Sequence, residues 1–184
     1  TTPTNINAAV VSSTDVVVTW TSDATNETGF RVERRDGPSG AWVPLQSVAT
    51  DVVTYADTTA VADHTYFYRV VAFNMSGESQ PSSFDIATTS LATPGVPIAS
   101  VTGSASVTLS WLDSSPNEMG FQILQFVGGS STGEQIADAP AHAGTGQTQV
   151  VIGGLIPGTE YRFAVRAVTD DLQSALTASS NAVI

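Results

Sequence analysis

The sequence predicts an all-β protein built as two tandem seven-stranded β-sandwiches, and three observations lead there. Its 184 residues are too many for one sandwich of about 90–100 residues and right for two. Apolar and polar residues alternate at period two along segment after segment, which is the signature of a half-buried strand. Finally, the second half of the chain repeats the first.

The repeat is centred on tryptophan. Trp20-Thr21-Ser22-Asp23-Ala24-Thr25-Asn26-Glu27-Thr28-Gly29-Phe30 recurs without a gap as Trp111-Leu112-Asp113-Ser114-Ser115-Pro116-Asn117-Glu118-Met119-Gly120-Phe121. Thr2-Pro3 falls on Thr93-Pro94 in the same register. Tyr66-Phe67-Tyr68-Arg69-Val70-Val71-Ala72 matches Tyr161-Arg162-Phe163-Ala164-Val165-Arg166-Ala167 at a slightly larger offset, which places a small insertion in the Gly128–Ala143 stretch. Domains are expected over 1–90 and 91–184, with a linker near 90–97 where Pro94, Gly95 and Pro97 cluster.

In the first copy, period-two alternation predicts strands over Asn5–Val11, Val16–Thr21, Phe30–Arg35, Trp42–Ser47, Val52–Ala56, His64–Phe73 and Phe84–Thr88. The gaps carry turn chemistry, as in Asp36-Gly37-Pro38-Ser39-Gly40. Valine and threonine, abundant throughout, suit a pleated and half-buried surface. Seven short strands at this spacing give an antiparallel two-sheet sandwich.

Three features resemble immunoglobulin-like fibronectin type III domains: the tryptophan on the second strand, the Asn-Glu-x-Gly-Phe turn into the third, and Leu155-Ile156-Pro157-Gly158-Thr159-Glu160-Tyr161. More narrowly, they resemble the tandem copies found in secreted bacterial proteins. The resemblance implies a tyrosine corner at Tyr161, the hydroxyl bonding back to nearby backbone. At Tyr66 the preceding Ala60-Val61-Ala62-Asp63-His64-Thr65 lacks the proline and glycine, so a different corner loop is expected there.

Composition excludes several classes. All six basic residues are arginine and the formal net charge is −11, a field that repels phosphate backbones and anionic membrane surfaces. No apolar run approaches the roughly 18–20 residues that span a bilayer. With no cysteine, disulfides, thiolate metal sites and cysteine nucleophiles are ruled out. The chain opens at Thr1 without a methionine or a charged-then-apolar leader, as a processed mature chain or a piece of a longer one would.

No catalytic constellation emerges. Gly129-Ser130-Ser131-Thr132-Gly133 matches a hydrolase nucleophile elbow formally, but that motif needs a strand-to-helix turn and here lies in a hairpin. His64 and His142 stand in different domains, without metal-pair spacing. Glu27 and Glu118 also lie one per domain; their repetition beside Asn26 and Asn117 argues for a turn in which the acid accepts backbone hydrogen bonds. Asp170-Asp171 is too small a set for a hard cation. Asn26-Glu27-Thr28 and Asn74-Met75-Ser76 are formal glycosylation sequons in a Ser/Thr-rich chain. No catalytic residue, metal or cofactor is expected.

The most informative feature is a face. On the sixth strand, alternation turns Tyr66, Tyr68, Val70 and Ala72 inward and Phe67, Arg69, Val71 and Phe73 outward. In the second domain Phe121, Ile123 and Gln125 take the inward parity, leaving Leu124 and Phe126 outside. A solvated sheet face is normally polar. Either the stems of Arg31, Arg35 and Arg69 cover these rings, or the face meets another domain, subunit or ligand. The sequence therefore reads as a non-catalytic extracellular structural or adhesive module. It would space or join other parts through protein contacts, as a subunit of a self-assembling surface fibre. The alternative is an accessory spacer or substrate-binding region of a secreted polysaccharide-degrading enzyme, with polysaccharide as partner.

Overall fold

A computed structural model describes all residues from Thr1 to Ile184. It divides into two compact units, Thr1–Thr89 and Ser90–Ile184.

The first domain packs two antiparallel sheets. One holds β1 (Thr4–Val10), β2 (Val16–Thr21) and β5 (Thr54–Asp57) in the order β1-β2-β5. The other runs β4 (Val43–Ala49), β3 (Gly29–Asp36), β6 (Thr65–Asn74) and the two-residue β7 (Gly77–Glu78), with β8 (Asp85–Thr88) also pairing β6. Every expected strand is present within two residues at either end. Trp20, Phe30, Val32, Tyr66, Tyr68, Val70 and Ala72 are buried together between the sheets, and Trp20 meets Phe30 edge to face at 5.6 Å.

The second domain repeats the plan. β9 (Ile98–Gly103), β10 (Ser106–Asp113) and β13 (Gly146–Ile152) form one sheet in the order β13-β10-β9, while β12 (Glu134–Pro140), β11 (Gly120–Val127) and β14 (Tyr161–Val168) form the other as β12-β11-β14. Trp111 packs on Phe121 at 5.2 Å, with Leu109, Ile123, Phe163 and Val165 fully buried around them. The seventh-strand position is taken by an extended segment rather than a regular ladder, touching β14 at the bridges Tyr161↔Val183 and Val168↔Gln173.

A period-three device explains that segment. The amides of Ser174, Thr177 and Ser180 donate to the carbonyls of Ala167, Val165 and Phe163, and the three hydroxyls accept the amides of the same β14 residues. Every third residue therefore faces β14, whereas a ladder would present every second. Ser79 and Ser82 do the same against Ala72 and Val70 in the first domain. A side-chain oxygen thus satisfies the edge N–H groups of Phe163, Val165 and Ala167 and of Val70 and Ala72.

Both tyrosines make the corner bond. The amide of Ile156 donates to Tyr161 Oη at 3.1 Å, and that of Val61 donates to Tyr66 Oη at 3.0 Å. The missing Pro-Gly does not change the geometry, because Asp63 adopts the left-handed φ of 56° that Gly158 adopts at 79° in the matching place.

Candidate functional site

The outer face of the β3–β4–β6 sheet is where the sequence places its candidate contact residues. Strand register builds it row by row: Arg31 lies opposite Val71, Glu33 opposite Arg69, Arg35 opposite Phe67, and Gly29 opposite Phe73. The parity holds, since Phe67 and Val71 stand apart from the core cluster that contains Tyr66, Tyr68, Val70 and Ala72.

Their exposure differs from the expectation. Phe67 is only 7% exposed and Val71 2%, so these side chains are sealed inside their own domain. The cover over Phe67 is local. The Arg35 guanidinium lies 4.4 Å above its ring, and Phe84 meets it edge to face at 5.3 Å. Phe73 is half-buried, with its ring over Gly29, where a Cβ would lie 2.8 Å from the ring. In the second domain Leu124 and Phe126 are likewise half-buried, and the Phe126 ring rests on Gly133, where a Cβ would come within 2.7 Å. Phe67 and Phe73 point outward as expected, but neither ring is left in water. Arginine, a second aromatic and two glycines supply the cover.

What stays open is a neighbouring set that parity did not single out. Phe84 and Ile86 are each half exposed, and Ile86 pairs with Phe67 across the β6–β8 register. Trp42, half-buried at the start of β4, lies under two guanidinium groups, Arg35 at 4.9 Å and Arg69 at 4.2 Å. Arg35 is also 5.2 Å from the centre of Phe84. A cation over an aromatic face is worth roughly 0.5–1 kcal/mol where exposed and more where desolvated.

Charge organises the rest of the face. Glu33, 5% exposed, accepts from Arg31 Nε at 2.9 Å and Arg69 Nε at 2.7 Å. Arg31 also holds Glu78 through both terminal nitrogens. These acids, Glu78 first and then Glu33, push the Arg31 pKa further up, and Arg31 holds the Glu78 carboxyl below its usual range. Arg35 forms no ion pair, and its Nε is buried without a hydrogen-bond partner. The face thus presents one guanidinium without an ion pair, set among Trp42, Phe67 and Phe84. Such an arrangement offers stacking area and directed N–H donors, but no nucleophile, general base or electrophile.

The remaining candidates fall where simple readings put them. Ser130 and its neighbours form the turn between β11 and β12, the Ser130 hydroxyl donating to the Thr132 carbonyl. Glu118 accepts the amide of His142 at 3.1 Å, a turn-fixing bond. His64 sits beside Asp36 at the start of β6, and Asp170 and Asp171 are exposed. No group of three His, Cys, Asp or Glu side chains is arranged to hold a metal ion.

Exoglucanase B of Cellulomonas fimi is 31% identical over all of this chain, which covers 16% of that protein. Endoglucanase B of the same species is 29% identical over 87% of the chain, again 16% of the relative. The chain thus spans about a sixth of the curated relatives it matches. Chicken M-protein of striated muscle is 29% identical over 90% of the chain and 12% of its own length. Among solved structures, a two-domain fibronectin type III segment of chicken tenascin aligns over 98% of both chains, with a TM-score of 0.65 at 17% identity. The family model for the fibronectin type III domain matches residues 1–88 and again 92–183, and the chain belongs to that family.

Proposed function

We propose that this tandem pair is an accessory region of a secreted polysaccharide-degrading enzyme, working outside the cell as a spacer that also contacts the polymer or a neighbouring domain. Fibronectin type III domains are non-catalytic and act as protein-contact modules. The observation that carries the finer reading is the match of the whole pair to an exoglucanase and of most of it to an endoglucanase. The contact surface in this reading is the outer face of the first domain. Phe67, Arg69, Val71 and Phe73 form its floor, and Trp42, Arg35, Phe84 and Ile86 its open part. Leu124 and Phe126 are the lesser counterpart in the second domain. Aromatic rings and arginine are the residue types enriched where surfaces meet partners.

The test is co-sedimentation of the 184-residue chain with microcrystalline cellulose, run beside light scattering. A monomer retained on the polymer, with retention falling several-fold in Trp42→Ala/Phe84→Ala at unchanged melting temperature, supports the proposal. Retention that ignores those substitutions removes the face from it. Filaments or growing particles in the absence of polymer would return the function to a self-assembling surface fibre.

A further inference from the structure

The second domain buries two carboxyl groups around one loop residue, His142. Asp113 ends β10, and Glu118 lies in the turn that leads into β11. Asp113 is 1% exposed and Glu118 6%. Each has one oxygen satisfied by a backbone amide: Ser115 N donates to Asp113 Oδ1 at 3.0 Å, and His142 N donates to Glu118 Oε1 at 3.1 Å. Each also has one oxygen with no donor at all, Asp113 Oδ2 and Glu118 Oε2, and both carboxyls border the same residue, His142, whose amide bonds one and whose ring approaches the other. The Ser115 hydroxyl, fully buried on the same turn, has no partner either.

No cation neutralises the pair. Arg162 is held beside Glu160, and Arg166 donates to Gln122. His142 is the other titratable group facing it. Its Nδ1 is 3.7 Å from Asp113 Oδ2, beyond hydrogen-bond range, and 3.2 Å from the Gly144 carbonyl. Two buried carboxylates side by side are unfavourable, and one of them holds a proton unless an ion intervenes. A hard divalent ion wants six or more oxygens, far more than this site offers.

We propose that Glu118 carries a proton in the folded second domain and donates it in a hydrogen bond to Asp113, forming a clamp that tightens as pH falls. One proton taken from water onto Glu118 Oε2 turns that oxygen into a donor and Asp113 Oδ2 into its acceptor. A single bond then satisfies both unpartnered oxygens and removes one of two adjacent negative charges. Through the His142 amide it also ties the end of β10 to the loop after β12. Burial, with the Asp113 charge beside it, raises the Glu118 pKa, in keeping with this assignment. The first domain has no such pair, since Ser22 stands where the second has Asp113.

The test is a carboxyl-carbon NMR titration of the 184-residue chain, with a melt of the second domain followed at each pH through Trp111. The Glu118 midpoint should lie above the ordinary carboxylate range and move back toward it in Asp113→Asn. Glu118→Gln supplies a permanent donor to Asp113 Oδ2 and should flatten the pH dependence of the second transition without lowering it at neutral pH. His142→Ala should leave the midpoint raised. A Glu118 midpoint in or below the ordinary range in the native chain overturns the proposal, whether or not the variants fold. So does stabilisation of the second domain by millimolar calcium at neutral pH that Glu118→Gln abolishes, because the site would then hold an ion and not a proton.

Discussion

Two copies of one fold solve the same core position in opposite ways. In the first domain Arg34 on β3 faces Tyr68 on β6, and Asp57 ends β5 opposite Val16. The Asp57 carboxylate, fully buried, accepts from Arg34 at 2.7 Å, Tyr68 Oη at 2.8 Å, and both the amide and hydroxyl of Thr59. The matching register in the second domain brings together Gln125, Phe163 and Ile152, with Ile152 opposite Val107. An ion-paired network in one copy is thus replaced in the other by two apolar side chains and a neutral amide. The fold tolerates both, so the network is not a requirement of the fold. A buried pair costs desolvation of both partners, and its Coulomb gain only roughly offsets that.

Breaking the network halfway should have the largest effect. Asp57→Ala leaves Arg34 and Tyr68 without their acceptor and should cost the first domain about 3–5 kcal/mol. Calorimetry of the whole chain checks this: one of two transitions should fall and the other stay. The pH profile sharpens the contrast. Burial alone would raise the Asp57 pKa, but Thr59, then Tyr68 and Arg34, overcome that and hold it below its ordinary value. The folded state thus binds this proton less readily than the unfolded one. Its stabilisation is full above the unfolded carboxylate pKa, about 4, and is lost as pH falls through the lower folded value. The second domain, through Glu118, should gain over the mildly acidic range. Transitions that shift in parallel on acidification would break the comparison.

Truncation at the outer face comes next. Phe67→Ser should lower first-domain stability by about 3 kcal/mol, the low end for a buried phenylalanine, because Arg35 and Phe84 close over it. An unchanged melt would mean that the ring is surface after all. Grafting one core onto the other is the milder counterpart. Arg34→Gln with Asp57→Ile and Tyr68→Phe gives the first domain the second domain's set, and should fall between neutral and about 1–4 kcal/mol more stable. A large loss in the same calorimetric scan would show that the network specifies the fold.

The sandwich was legible because its signals are local or repeated. Trp20 and Trp111 and the Asn-Glu-x-Gly-Phe turns repeat at one offset, the tyrosine corners at a slightly larger one, and period-two alternation places the strands. The face was half legible. Parity separates Phe67 from Tyr66 and Tyr68, and the arginine stems are one of the two covers that the sequence allows. The actual cover is long-range: Phe84 comes from beyond β7, and glycines 29 and 133 admit their rings only through cross-strand and hairpin pairing. The Ser174-x-x-Thr177-x-x-Ser180 edge was missed although its spacing stood in the sequence, because a search at periods two and 3.6 passes over period three. The buried oxygens of Asp113 and Glu118 left no trace, since burial of a turn carboxyl depends on a loop more than twenty residues away.

The smallest expected effect tests how the two corners reach one geometry from different sequences. Asp63 and Gly158 each lie three residues before their corner tyrosine, both with positive φ. A Cβ added at Gly158 would meet no atom within 4 Å, so only the backbone conformation resists substitution there. The left-handed region costs an ordinary L-residue roughly 1–2 kcal/mol, and aspartate less because its short side chain bonds locally. Gly158→Ala should therefore cost the second domain about 1 kcal/mol. Asp63→Gly relieves a small strain but adds glycine's unfolded-state entropy, about 0.5–1 kcal/mol, so the first domain should barely move. Chemical denaturation of the two variants reads both values. If Asp63→Gly stabilised the first domain by more than about 1 kcal/mol, the strain at that corner would be larger than the shared geometry implies. A loss of similar size would instead assign the Asp63 side chain a hold on its own loop that glycine cannot supply.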